Sequence, residues 1–419
     1  VKEPHHASTD TGGEDPLTDP GERGHRPRPE RPAPGADAAP VPDPLPDPAR
    51  AGVVDGCLPA FHRRLRDELT FPLAWGRSGI ADFEAWRRAA RATVESHLLA
   101  PADDPGEIPY DPEFADRAPA VLDGRAYRRE TVTFTLSRYA RVRAVLLTPS
   151  GDGPFPAVLL LHDHGATFGI GKEKVVAPWY DGEARLPAAR RWVRRCYGGR
   201  FVGDELAARG HVVLAVDALG WGDRGPLAYA GQQALASAVF HLGSSLAGLT
   251  AREDVRAAGF LASLARVDAR RVAALGFSLG GFRAWQLAAL SDDVAAAACV
   301  CWMTGVQDLT APGGDALRGQ SAYHLLHPGL ARHLDFPDVA SIAAPRPMLF
   351  FHGGLDPHFT PAGVRAAYGR LRAVWRAAGA GDRLLTRIWP DHGHAFAVPL
   401  QDGVFRWLDA VLYGSAAEA

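Results

Sequence analysis

The stretch Val272-Ala-Ala-Leu-Gly-Phe-Ser-Leu-Gly-Gly-Phe282 decides the fold. Residues 272–275 are an apolar run suited to a buried strand, and residues 283–287 suit a helix. Between them stands Ser278, flanked by Gly276 and Gly280 in a Gly-x-Ser-x-Gly pattern. Flanking glycines leave room for another backbone to pass close by. The serine is held strained and exposed at the apex of a strand–turn–helix. The helix that follows points its free N–H groups and positive end at any anion forming there. A bare match of this pattern is weak in a chain with 45 glycines. The strand before it and the helix after it give it weight over the bland alternative, a glycine-rich turn with an incidental serine.

Working outward, strand-like and helix-like runs alternate. Downstream, strands are predicted over 295–302, 347–352 and 383–388, helices over 361–378 and 399–413, and a loop-rich stretch over 304–340. Upstream, the spacing predicts a helix over 200–209, a strand over 211–217, a loop at 220–225 and a long helical region over 231–265. Residues 155–161 are nearly all apolar, as a strand buried on both faces should be. Residues 128–148 read as an antiparallel pair, with Val132, Phe134 and Leu136 alternating with threonines. Alternation of this kind predicts an α/β fold, a mostly parallel sheet flanked by helices. Ligands then bind beyond the carboxyl ends of the strands.

Three regions are expected. Residues 1–50 form a Pro-rich tail, read as disordered because runs such as Pro40-Val-Pro-Asp-Pro-Leu-Pro-Asp-Pro48 can neither enter a helix nor join a sheet interior. Residues 51–125 form an N-terminal helical extension packed on the body, with helices at 57–68 and 80–99 and a loop at 101–112. In the second helix Phe83, Trp86, Ala90, Val94 and Leu98 form one apolar stripe. Residues 126–415 form the catalytic domain. Within it, 166–198 reads as a long irregular insertion that walls a pocket.

Composition narrows the function. The chain has 419 residues, 47% of them hydrophobic, and a net charge of −2. No basic cluster marks a nucleic-acid partner or a polybasic membrane patch. No apolar run reaches the length of a membrane span, and the first residues lack the apolar core of a secretory signal. The four cysteines, Cys57, Cys196, Cys299 and Cys301, show neither disulfide nor zinc spacing. Cys299 and Cys301 are expected on one side of a strand as small core residues. A cytoplasmic location is the expectation that follows.

A serine hydroxyl needs a base within reach and a third group to orient that base. Asp356 follows one predicted strand, in His352-Gly-Gly-Leu-Asp-Pro357, and His394 follows the next, in Pro390-Asp-His-Gly-His-Ala-Phe396. In this reading Ser278 attacks a carbonyl, His394 carries its proton and Asp356 fixes the imidazole tautomer. Asp308 is the substitute acid, and His392 competes with His394 as base. Leu279 supplies one oxyanion N–H, and Gly165 or Ala166, in the turn after the strand ending at Leu161, supplies the other. A metal at His162 and His164 would need further ligands, which 165–167 do not offer, so no metal is expected. Lys172, Glu173, Asp217 and Arg224 are read as loop-bracing ions. Phe168, Trp179, Trp221 and Trp302 are candidates to line the pocket, with core packing the alternative for each.

On the residues Leu161-His-Asp-His-Gly165, Gly276-Phe-Ser-Leu-Gly280, His352-Gly-Gly-Leu-Asp356 and Gly393-His-Ala-Phe396, the chain from about 130 to 412 resembles the α/β-hydrolase superfamily. Within it, the resemblance is to the dienelactone hydrolase and acetyl-xylan-esterase-like branch. It implies cofactor-free hydrolysis of small carboxylic esters or lactones through an acyl-enzyme, with acyl transfer or carbon–carbon bond hydrolysis as alternatives for the same triad. The Gly-His-x-Phe match supports His394. Dienelactone hydrolases use a cysteine where Ser278 stands. Prolyl-oligopeptidase relatives carry a β-propeller, which the residues before the domain cannot form, so a peptidase is disfavoured. A catalytically inactive binding protein on the same fold is the reading from another class.

Overall fold

The apolar strand that leads into Ser278 lies inside a broad sheet. The computed structural model describes residues 60–101, 108–181, 184–311 and 322–414. Among these, nine strands form one sheet: β1 (Glu113–Leu122), β2 (Arg125–Ser137), β3 (Ala140–Pro149), β4 (Phe155–Leu161), β5 (Val212–Ala215), β6 (Val267–Phe277), β7 (Ala296–Val300), β8 (Met348–Gly353) and β9 (Leu384–Trp389). Their order is β1-β2-β3-β5-β4-β6-β7-β8-β9. β1, β2 and β3 pair antiparallel, as do β3 and β5, while β5, β4, β6, β7, β8 and β9 run parallel. The inner parallel strands β4, β5, β7, β8 and the second half of β6 are the apolar runs, because helices cover both of their faces, whereas the edge strand β9 alternates.

Among the described residues, eleven α-helices accompany them: α1 (Ala60–Asp67), α2 (Phe83–His97), α3 (Leu186–Cys196), α4 (Val202–Ala208), α5 (Tyr229–His241), α6 (Leu246–Ser263), α7 (Leu279–Leu290), α8 (Val306–Leu309), α9 (Phe336–Ser341), α10 (Pro361–Ala377) and α11 (Val398–Tyr413). Side chains along a strand alternate between faces, so β4 feeds two cores. Ala157, Leu159 and Leu161 join one core with α2, α6, α7, α9 and α10. Val158 and Leu160 join the other, with α3, α4 and α11. The predicted stripe of α2 faces the first core, with Trp86, Ala90, Val94 and Leu98 at 0% exposure. Val94 and Leu98 each contribute about 1.5–3 kcal/mol on burial, and Ala90 less. All twelve residues of α7 are buried.

Several expectations need correction. Glu113–Leu122, placed in the helical extension, is strand β1. It is charged and mostly exposed, carries Pro119, and is broken by an irregularity between Ala115 and Ala118. Those are features of an edge strand, and they erase the alternation that would have announced it. Residues 166–198 are not wholly irregular, since they contain α3, whose buried Ala189, Val193 and Cys196 keep helical spacing. The single helical region over 231–265 is two helices. Gly243 turns the chain at φ +76°, and the Ser245 hydroxyl accepts from the Gly248 N–H at 2.9 Å to cap a new helix. The stretch 304–340 holds the short helices α8 and α9. Cys301 leaves the face of Cys299 and joins the other core, because β7 ends at Val300 and Cys301 has φ +53°. Cys196, Cys299 and Cys301 are buried free thiols. The tail 1–50, Cys57 and residues 102–107 of the 101–112 loop lie outside the described residues. Among the described residues, no single helix is long and apolar enough to cross a membrane.

Candidate active site

Backbone contacts explain the glycines around Ser278. A Cβ on Gly276 would fall on the Gly280 carbonyl, and a Cβ on Gly280 would fall on the Leu161 carbonyl oxygen. The turn is therefore closed to any side chain at either position. Ser278 itself has φ +56° and ψ −123°, a conformation costly for an L-residue. Its N–H donates to the Val300 carbonyl at 2.8 Å, so β7 helps to hold the turn. α7 begins at Leu279, directly after it.

The ends of β8 and β9 bring the other two groups. The His394 Nε2 lies 2.8 Å from Ser278 Oγ. Its Nδ1 lies 2.7 Å from Asp356 Oδ2. Asp356 Oδ1 accepts the His358 N–H at 2.9 Å, which turns the carboxylate edge toward the imidazole. Burial pushes the Asp356 carboxyl up, but the hydrogen bond and charge of His394, with His352 and the His358 N–H, outweigh burial and hold it below the ordinary range. An ionised carboxylate on Nδ1 requires a proton there, which leaves a lone pair on Nε2 facing the serine. His394 also packs against Phe277 at 5.0 Å and His358 at 4.6 Å between ring centroids. His352 Nε2 is 3.4 Å from Asp356 Oδ2, and burial lowers its pKa to about 4, so it stays neutral.

The competing residues are elsewhere. His392 packs its ring on Trp389, and its carbonyl accepts the Leu355 N–H at 2.9 Å. It shapes the turn and does not reach Ser278. Asp308 lies on α8 beside Thr304 and Gly363, and burial raises its pKa. His162 donates from Nδ1 to the Asp163 carbonyl at 2.8 Å and accepts the Ala218 N–H on Nε2 at 3.0 Å. Both ring nitrogens are engaged, so His162 has no lone pair for a metal. Among the described residues, Cys301, Asp356 and His394 are the group whose ligand-type atoms come within 4.8 Å of one another, and two of these already belong to the hydrogen-bonded series.

The turn 162–166 runs beside the start of α7, since Gly280 packs on the Leu161 and His162 carbonyls. Gly165 has φ +40°, and a Cβ there would strike the Trp192 ring. Among the described residues, the N–H groups of Leu279, Gly165 and Ala166 meet no backbone acceptor. Of the candidate pocket residues, Phe168 is half-buried in a ring cluster with His164, Trp221 and Tyr229 next to this turn. Trp221 is fully buried beneath it and donates from Nε1 to the His164 carbonyl at 2.7 Å. Trp302 is a core residue packed on Phe282, Trp285, Phe336 and Phe359. Trp179 does not line this site. Its Nε1 donates to the Asp116 carbonyl of β1 at 2.7 Å, and Arg129 stacks on its ring, at the far edge of the sheet from β6.

The ions read as loop braces do bridge loops. Lys172 Nζ binds Asp217 at 2.6 Å and Asp223 at 2.7 Å, Arg185 binds Glu173 and Asp223, and Arg224 pairs with Glu253. Sequence reasoning missed Lys174, Asp163 and Tyr197. Tyr197 donates to Asp163 Oδ1 at 2.5 Å, and Lys174 reaches the same turn from below. Asp163 stands inside the Leu161–Gly165 motif but was given no role there, and Lys174 and Tyr197 stand in no motif.

Comparison with known proteins agrees with this geometry. A profile of the Abhydrolase family matches residues 200–373, from α4 through most of α10. The chain has the α/β-hydrolase fold. The chain is 29% identical over 255 residues to YtaP of Bacillus subtilis (strain 168), a hydrolase by designation, covering 60% of the present chain and 78% of that one. Its fold is similar to that of a glucuronoyl esterase from Solibacter usitatus (TM-score 0.58, 16% identity, covering 81% and 97% of the two chains). It is also similar to a glucuronoyl esterase from Teredinibacter turnerae T7901 (0.58, 18%, 82% and 89%). A third similar structure is a protein designated an acetyl xylan esterase from Bacteroides fragilis NCTC 9343 (0.57, 19%, 78% and 81%). At these identities the likeness to the solved structures is one of fold.

Proposed function

We propose that this α/β-hydrolase is a serine esterase that cleaves small carboxylic esters, acetyl esters among them, through an acyl-enzyme. The observation that carries the reading is the unbroken series from Ser278 Oγ through His394 to Asp356, at 2.8 and 2.7 Å. Ser278 Oγ bonds to the ester carbonyl carbon while its proton passes to His394 Nε2. The carbonyl oxygen becomes an oxyanion, stabilised by the N–H of Leu279 and one from the 165–166 turn. The carbon–oxygen bond to the alcohol then breaks, and the alcohol leaves with the proton from Nε2. Water repeats the sequence on the acyl-enzyme and frees the acid. Asp356 keeps Nδ1 protonated and supports the imidazolium formed in each half. The esterase designations of the fold neighbours agree with this chemistry, and the buried thiols agree with a reducing compartment such as the cytoplasm.

The test is direct. A fluorophosphonate probe should label the wild type on Ser278 and leave Ser278→Ala unlabelled, and the wild type should turn over p-nitrophenyl acetate. Equal labelling of both proteins, or no turnover above background, would remove the reading.

A further inference from the structure

Lysine is almost absent from this chain. Of 46 lysines and arginines, only positions 2, 172 and 174 are lysine. Lys172 and Lys174 are both 0% exposed. They sit on one short 3-10 turn, Lys172–Lys174. Charged side chains are almost never buried so fully unless they are paired. Lys172 is paired, with Asp217 and Asp223. Lys174 is not paired in that way, since its nearest carboxylate oxygen, Asp163 Oδ2, is 3.9 Å away. Its Nζ donates to two backbone carbonyls instead, that of His164 at 2.6 Å and that of Asp163 at 3.2 Å. The indoles of Trp192 and Trp221 lie against it at 5.3 and 5.7 Å.

The His164 carbonyl thus receives two buried donors, Lys174 Nζ and Trp221 Nε1, both within 2.7 Å. The two cis peptides of the described residues lie elsewhere, at Gly153-Pro154 and Ala344-Pro345, so the His164–Gly165 bond is trans. In a trans peptide the carbonyl of one residue and the N–H of the next point in opposite directions. A carbonyl fixed toward the interior therefore turns the Gly165 N–H away from it, at a half-buried residue of the turn that runs beside α7.

We infer that Lys174 is a positioning residue which, with Trp221, clamps the His164 carbonyl and so aims the Gly165 N–H as the second oxyanion donor. The inference rests on the esterase reading and narrows it from two candidate donors to one. Lys172 completes the support, because its bond to Asp217, just past β5, anchors the turn from which Lys174 reaches. A lysine suits the place. Its compact ammonium can serve two carbonyls on one side, whereas the flat fork of an arginine would have to fit between two indoles.

The experiment compares wild type, Lys174→Met and Trp221→Phe. The second variant removes one donor while keeping an aromatic ring. Measured quantities are kcat and KM for p-nitrophenyl acetate and the inhibition constant of an alkyl trifluoromethyl ketone, whose serine adduct carries an oxyanion. Complete loss of an oxyanion donor costs ~10²–10³ in rate. A misaimed donor should cost Lys174→Met about ten- to a hundredfold and Trp221→Phe several-fold. KM should stay within about twofold, and affinity for the ketone should fall in parallel with kcat. A purely structural role would lower the fraction folded without moving ketone affinity in step with kcat. A folded Lys174→Met with wild-type kcat overturns the inference and leaves the esterase reading intact. If Lys174→Met does not fold, wild-type kcat in Trp221→Phe overturns it. If the wild type neither turns over the ester nor labels on Ser278, both fall together.

Discussion

At the scale of single residues, chemistry and conformation pull against each other around Ser278. Its positive φ is unfavourable for a residue with a Cβ, and the turn survives because Gly276 and Gly280 let three backbone segments touch. In the proposed mechanism Asp356 acts through its hydrogen bond to His394 Nδ1. Asp356→Asn should keep the fold and let the amide hold the opposite tautomer of His394, with a proton on Nε2. By analogy with triads of known mechanism, kcat should drop by ~10³–10⁴ with a nearly unchanged thermal midpoint. A fall of less than tenfold in steady-state kinetics at pH 8 would separate Asp356 from the chemistry. These residues were legible in the sequence because each follows an apolar strand and stands in a short motif. Lys174 was not legible, since its neighbours Trp192 and Trp221 come from distant parts of the chain.

At the scale of elements, the parallel strands and the helices between them followed from apolar periodicity, and the departures have local causes. β1 was hidden by charge and Pro119, the break between α5 and α6 by the helix-compatible residues on either side of Gly243, and α3 by its many arginines. Periodicity also cannot show which helices are joined by buried charge. Arg283 of α7 and Asp254 of α6 form a two-point ion pair at 2.9 and 2.6 Å, with both side chains under 10% exposed. Asp254→Asn should therefore leave a guanidinium in the core without its counter-charge. Chemical unfolding should report a loss of about 3–5 kcal/mol, most of it restored in Asp254→Leu combined with Arg283→Met. An unchanged unfolding midpoint in the single variant would count against any buried coupling of α6 to α7.

At the scale of the molecule, acid should loosen the loops above the sheet before it affects the cores. Burial pushes the Asp223 carboxyl up, but the charge of Lys172 and hydrogen bonds from Arg143, Lys172 and Arg185 outweigh it and hold the pKa well below the ordinary range. For an acid with a depressed folded-state pKa, the stabilisation is complete above the unfolded pKa of about 3.9 and fades as pH falls below it. Glu173 shifts in the same direction. The difference in thermal midpoint between wild type and Asp223→Asn should thus be largest near pH 7 and shrink steadily below about pH 4. A difference independent of pH would mean that Asp223 acts only through its shape. The mostly parallel sheet flanked by helices, and three groups placed at the ends of its strands, were readable because buried parallel strands are apolar and ligand groups follow their ends; the order of the strands was not. The ion network was not, because charges far apart in sequence give no sign of which will meet.

With both lysines of the folded body sealed from water, reagents that acylate amines find no target there while the native structure persists. Any adduct on residue 172 or 174 is then a permanent mark that one molecule opened and closed again. The chain carries its own chemical clock for the breathing of the region beneath Ser278.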